Sequence, residues 1–380
     1  MVAVSTETDD GLGIFGDEHL ARDRKRNKRL RRLFFACAGL TVLTTIAIFG
    51  VLLDNAVSYF FGARLNEVLS GAAVERTVGF VEFFDVREVV SGEARWAPDH
   101  FHPGHNVFPV LWGTLVVTIG AGLVSIPIGT ATALYLSEYA KPATRNKLKP
   151  VLEVLAGIPT IVYGYFAVSF ITPVLVSGLA SRVVDPIGRG IHAVGDALPG
   201  SIDFVAFELT VGNALVSLGD SMTGITVGRY SMLAAILVVG LMTIPMVTSI
   251  SEDAMQAVPN DLRNGAYALG ATKYQVSTRI VVPAAVSGIF ASYILALSRA
   301  IGETMAVTLA GGFNANLTAN PFDEIMTMTA YMVSMARGTS AVGTVEYQSL
   351  FAIGFLLFVM TLAMNLINDH MKRRFQEVYR

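Results

Sequence analysis

The chain has 380 residues, of which 53% are hydrophobic and only 15% charged, with a mean hydropathy of +0.54. Soluble domains run near a quarter charged, so much of this surface faces lipid, and a string of soluble domains is excluded. The formal net charge of -2 hides a strong asymmetry along the chain. The single cysteine, Cys37, excludes an intrachain disulfide and a cysteine zinc cluster, and the absence of any Gly-Lys pair excludes a Walker A loop.

A bilayer crossing takes about 20 predominantly apolar residues. Six stretches meet that standard: residues 33–53, 108–137, 154–181, 230–251, 280–313 and 347–368. The first follows a basic tail (1–32) and is too long, behind too charged a leader, for a cleaved signal peptide, so a retained anchor is expected. Its outer loop runs to residue 107, a core follows over 108–370 with an inner loop at 252–279, and residues 371–380 form a tail. Of the 28 Lys and Arg, 19 fall in the two tails and the segments after the second and fourth spans. Eight lie in the opposite segments, and Arg299 falls within the fifth span. The positive-inside rule then places both termini in the cytoplasm. The basic run 22–32 is expected to fix topology and meet anionic lipid headgroups, with no nucleic acid as partner.

Ile-Pro pairs interrupt spans two, three and four at Pro127, Pro159 and Pro245. Proline removes a backbone donor and bends a helix, which lipid tolerates only where a neighbour or cavity re-satisfies the chain. Gly157, Pro159 and Gly164 are read together as helix hinges, with Tyr163 adding a polar tip. Glu153 falls at membrane depth on this reading. The outer segments, including 193–219, read as surface helices rather than spans.

Arg299 and Glu303 interrupt the fifth span, and arginine at mid-membrane costs roughly 2.5–3.5 kcal/mol on insertion scales. Four residues apart, the two are expected to pair on one helix face, in a stripe with Ser292, Ala296, Ala306 and Ala310. One reading is a close-packing face locked by an ion pair. The other places Arg299 on an oxyanion pathway, since a guanidinium offers forked donors matched to phosphate oxygens.

The inner segment Val258-Pro-Asn-Asp-Leu-Arg-Asn-Gly-Ala-Tyr-Ala-Leu-Gly-Ala-Thr272 suits a short helix after Pro259, ended by Gly270, with a second helix running into Ile280-Val-Val-Pro283. An exposed short helix with an apolar face fits a groove on another protein. Gly270 followed by Ile280-x-x-Pro283 resembles the EAA loop of permeases in binding-protein-dependent ABC importers, although the family's Glu-Ala-Ala stands here as Asn264-Gly265-Ala266. Leu155-Ala-Gly-Ile-Pro-Thr-Ile-Val-Tyr-Gly164, Arg299-Ala-Ile-Gly-Glu-Thr-Met-Ala-Val307 and Ser349-Leu-Phe-Ala-Ile-Gly-Phe-Leu-Leu-Phe358 resemble phosphate importer permeases of the PstC type.

That resemblance implies an all-α integral membrane protein of six transmembrane helices, the last five similar to the ABC importer permease (MetI-like) core. It implies a non-enzymatic transport subunit beside a PstA-like permease, a PstB-like ATPase dimer and a PstS-like extracytoplasmic phosphate-binding protein. ATP and Mg would sit on the ATPase, with no cofactor in this chain. It assigns Arg299 and Glu303 to phosphate passage, and Arg263, Asn264, Gly265, Ala266, Leu269, Gly270, Ala271 and Thr272 to ATPase coupling. Two rivals stay open: a permease for sulfate, molybdate or phosphonate, and an ion-coupled secondary transporter with Arg299 and Glu303 as proton relay. The second expects duplicated halves, which the sequence lacks. His100, His102 and His105 have metal-like composition but loose spacing, and the segment is read as a solvated loop without metal.

Overall fold

The computed structural model describes residues 17–70, 78–98, 104–197, 228–338 and 344–376. Two compact units divide the chain, Met1–Asn55 and Ala56–Arg380. Lipid offers no water to backbone amides, so each crossing satisfies its own hydrogen bonds as helix.

The first apolar run lies on the helix Asp17–Ser70, and its spanning portion is Leu30–Gly62, longer than the expected 33–53. Polar residues fail to stop it because they turn back onto the backbone one helical turn earlier. Asn55 Nδ2 donates to the Val51 carbonyl at 2.8 Å, and Thr44 and Thr45 do the same to Leu40 and Thr41.

The unit Ala56–Arg380 holds the second, third, fourth and sixth spans, Phe108–Tyr139, Thr160–Ala193, Met232–Gln256 and Val345–Met371. The fifth crossing is a pair of helices, Lys273–Ala284 and Val286–Ile301, bent by 69°. The bend falls just after Pro283, where Ala285 leaves helical geometry at φ -91°, ψ 3°.

Spans two and four make the central contact. A Cβ on Gly129 would meet Val247 at 2.7 Å and one on Gly240 would meet Val124 at 2.9 Å, so both positions are kept bare for close approach. Around them, Val117, Ala121, Ala235, Val238, Ala306 and Ala310 are buried in one cluster. Hydroxyl pairs bring in the fifth crossing: Ser292 with Ser251, and Tyr293 with Thr130, each at 2.8 Å. Pro127 and Pro245 lie inside continuous helices.

The third span starts at Thr160, not near residue 154. Residues Pro142–Ala156 form a separate amphipathic helix, termed here the elbow helix, in which no residue is buried. Glu153 lies on it, outside the span that starts at Thr160, so the expected membrane depth is corrected. Proline explains the break. Pro159 has no N–H, sits extended at ψ 135° and starts the next helix, while Gly157 ends the elbow helix.

In the loop before span two, Trp96–Ala97 pairs antiparallel with Gly104–His105. His100 and His102 lie outside the described residues, as does most of 193–219. His105 departs from the solvated-loop reading: it is buried, with the Tyr59 hydroxyl 3.1 Å from its Nδ1.

Candidate translocation site and docking helix

Helix Val286–Ile301 ends two residues beyond Arg299, and a separate helix, Met305–Gly311, follows. Tight turns make the break: the Gly302 amide donates to the Ser298 carbonyl at 3.4 Å and the Glu303 amide to Ala300 at 3.2 Å. The continuous stripe expected from the sequence is therefore cut between Arg299 and Glu303. Its small members Ser292, Ala296, Ala306 and Ala310 are buried, as a packing face requires.

The expected ion pair does not form. Glu303 is 7% exposed, and its carboxylate accepts from the Ala306 amide at 3.3 Å, holding the first turn of the next helix. Its carbonyl accepts from the Thr329 hydroxyl at 2.7 Å. Glu303 is thus spent within its own chain. Arg299 is exposed and has no hydrogen bond or ion pair among the described residues. Ala300, the residue after it, is buried in one cluster with Tyr163 of the third span. Gly164, next to Tyr163, is a packing position rather than a hinge: a Cβ there would meet Leu309 at 2.9 Å and the Ala306 Cα at 3.1 Å.

The short helix expected after Pro259 is formed as Asn260–Ala268. Gly270 ends it at φ +82°, with its amide on the Tyr267 carbonyl (2.9 Å) and the Ala271 amide on Ala266 (3.1 Å). That pair of bonds is the glycine-terminated helix stop expected from the sequence. Thr272 then caps the following helix, exchanging hydrogen bonds with Gln275.

The coupling residues fall into two sets. Asn264, Gly265, Leu269, Gly270 and Thr272 are exposed, Leu269 by 90%, alongside Leu262, Tyr267 and Tyr274. These residues form an outward face that carries exposed apolar side chains. Ala266 is buried, Ala271 is half-buried and Arg263 turns inward. Arg263 pairs with Glu138 at 3.0 Å, and its guanidinium also donates to the Met255 carbonyl (2.7 Å) and to Val258. Arg263 therefore anchors the docking helix to the ends of spans two and four, and its side chain is not part of the outward face.

Sequence reading missed a second ionic cluster. Glu252, near the end of span four, is fully buried. Arg145 Nε of the elbow helix lies 2.7 Å from one of its oxygens, Lys149 Nζ stands 3.7 Å from the other, and Gln256 donates at 2.6 Å. Lys149 also pairs with Asp253 at 2.8 Å, and that hydrogen bond, aided by the charges of Glu252 and Asp253, holds the ammonium above the usual lysine range. The available signal was the spacing of Arg145 and Lys149, one turn apart on one face of the segment.

Packed spanning helices, a broken crossing with an unpaired arginine, and a braced docking helix define a multi-pass membrane permease subunit. Residues 125–377 match the family described as binding-protein-dependent transport system inner membrane component, and the chain belongs to that family. A probable ABC transporter permease protein, YqgH of Bacillus subtilis, is 28% identical over 353 residues, covering 93% of this chain and 96% of that one. The phosphate transport system permease protein PstC of Mesorhizobium japonicum is 30% identical over 264 residues, covering 70% of this chain and 72% of that one. Among solved structures, a bacterial ABC transporter involved in the import of the acidic polysaccharide alginate aligns at a TM-score of 0.46 and 15% identity, over 94% of this chain and 99% of that one. The chain is an inner-membrane subunit of an ABC importer, a permease and not an enzyme, and its class works with an ATPase and a binding protein.

Proposed function

We propose that this chain is the PstC-type permease of an ATP-driven phosphate importer, and that Arg299 receives the anion in the membrane. The observation that carries this reading is an exposed guanidinium near the end of the broken fifth crossing that finds no hydrogen bond or ion pair among the described residues. Such a charge is costly in lipid, so a group from outside the chain must neutralise it, and an oxyanion fits the guanidinium fork. The likeness to PstC of Mesorhizobium japonicum supports phosphate as that oxyanion.

In this reading both termini and the docking helix face the cytoplasm, consistent with the lysine and arginine bias. A PstA-like permease completes the conduit, a PstS-like binding protein delivers the anion, and a PstB-like ATPase dimer carries ATP and Mg. The ATPase engages the face marked by Leu269 and Tyr274. Closing it swings the docking helices and switches access to Arg299 from one side of the membrane to the other. Glu303 sets the position of Arg299 by holding the helix break rather than by pairing with it.

The test is radiolabelled phosphate uptake by the assembled importer with Arg299→Gln, alongside competition by sulfate, molybdate and phosphonate. Uptake is expected to fall about 100-fold or more with the complex still assembled, and none of the competitors should displace phosphate at equal concentration. Uptake preserved in Arg299→Gln, or suppressed by equimolar sulfate in the parent, would overturn the assignment.

A further inference from the structure

From the docking helix to Tyr163 runs a series of polar contacts, and apolar packing continues it to the residue beside Arg299. Arg263 ties the docking helix to the carbonyls of Met255 and Val258 at the root of span four, and to Glu138 at the end of span two. One turn up span four, Glu252 receives Arg145 and Lys149 from the elbow helix. At the other end of that helix, the Leu155 carbonyl accepts the Tyr163 hydroxyl at 2.8 Å. Tyr163 in turn is buried in the same cluster as Ala300, the residue that follows Arg299.

We propose that Glu252 is a positioning residue of the import cycle, coupling movement of the docking helix through the elbow helix and Tyr163 to the Arg299 end of the pathway. This rests on the docking and anion roles proposed above. The physical case has three parts. Glu252 is fully buried and holds two cations from one helix, so the root of span four and the elbow helix move together. No elbow residue is fully buried, with Leu152 and Leu155 only half-buried, so the ion pairs are the strongest grip on it. The Gly157–Pro159 break leaves the elbow helix free of a continuous helical link to span three, making the Tyr163–Leu155 hydrogen bond the local connection across it. A push on the docking helix thus reaches span three through side chains rather than through backbone.

A buried carboxylate between two cations also serves as a plain structural weld, so the test must separate the two roles. The assembled importer is reconstituted in vesicles from a Cys37→Ser parent carrying Gly302→Cys. Gly302 is exposed beside Arg299, and a Cβ there meets nothing closer than 3.9 Å. The readout is the ATP-driven change in thiol labelling at that position, which is independent of the cargo. Glu252→Gln keeps the shape and loses the charge; Tyr163→Phe keeps the ring and loses the hydroxyl.

Each substitution is expected to reduce the ATP-driven labelling change about tenfold, while ATP hydrolysis stays within about threefold of the parent. The double variant should be no worse than either single one, because both cut the same chain. Two independent defects at distant sites would instead multiply to about 100-fold, which overturns the proposal, as does a labelling change equal to the parent's in either single variant. Should Glu252→Gln fail to assemble, Tyr163→Phe alone decides by the same criterion. A Cys37→Ser importer with Gly302 retained that hydrolyses ATP but moves no phosphate would sink the cargo assignment and leave this coupling intact; a Gly302→Cys parent whose label ignores ATP would sink the docking role itself.

Discussion

Replacing Arg263 with methionine removes the guanidinium that fastens the docking helix while keeping most of its apolar stem. The lost contacts are an ion pair to Glu138 at 3.0 Å, with the two side chains 13% and 6% exposed, and hydrogen bonds to the Met255 and Val258 carbonyls. Hydrogen bonds from charged groups contribute about 1.5–3 kcal/mol each. Removing one member of a buried pair costs about 3–5 kcal/mol. Residual exposure of Arg263 screens part of this, so about 3 kcal/mol is the working figure. That energy corresponds to a local opening equilibrium shifted about 100-fold. Hydrogen–deuterium exchange in lipid nanodiscs should show amides of Asn260–Ala268 exchanging about 100-fold faster, with the interior of Met232–Gln256 unchanged. Equal acceleration in both helices, or none in the docking helix, would refute the assignment of Arg263 as a local anchor.

Leu269→Asp should behave oppositely: at 90% exposure its loss leaves melting and exchange of this chain unaltered, while the amount of ATPase copurifying with it falls about tenfold. Gly164→Leu drives a side chain into Leu309 and the Ala306 backbone, and should lower stability by about 1–3 kcal/mol, read as a drop in melting temperature. The Lys149 ammonium is held above its usual value of 10.5, so its contribution to stability is complete below that pH and fades only as pH rises through the elevated folded value. The melting difference between parent and Lys149→Met should therefore stay constant from about pH 6 to about pH 9, and a difference that vanishes near neutrality would contradict the pairing.

Membrane crossings were legible because hydrophobic length is a one-dimensional signal, and the docking helix because Pro259 and Gly270 mark its ends through local backbone rules. What escaped was anything set by a break within an apolar run. Residues 154–156 look like the start of span three by composition, yet Pro159 assigns them to the elbow helix. Helical spacing put Arg299 and Glu303 on one face, but the turn at Gly302 rotates them apart and directs the carboxylate to the Ala306 amide. Arg263 read as an outward coupling residue because sequence spacing does not reveal that the docking helix folds back on Glu138, 125 residues earlier. Glu252 escaped for the same reason, its cations Arg145 and Lys149 lying in the inner segment more than 100 residues earlier.

The most direct measurement compares phosphate accumulation in vesicles holding this chain alone with vesicles holding the complete importer, ATP and binding protein. Accumulation is expected only in the complete system, with phosphate gained in step with ATP hydrolysed. Phosphate concentrated by the lone chain, without nucleotide, would contradict the claim that an ATPase on another polypeptide drives this pathway.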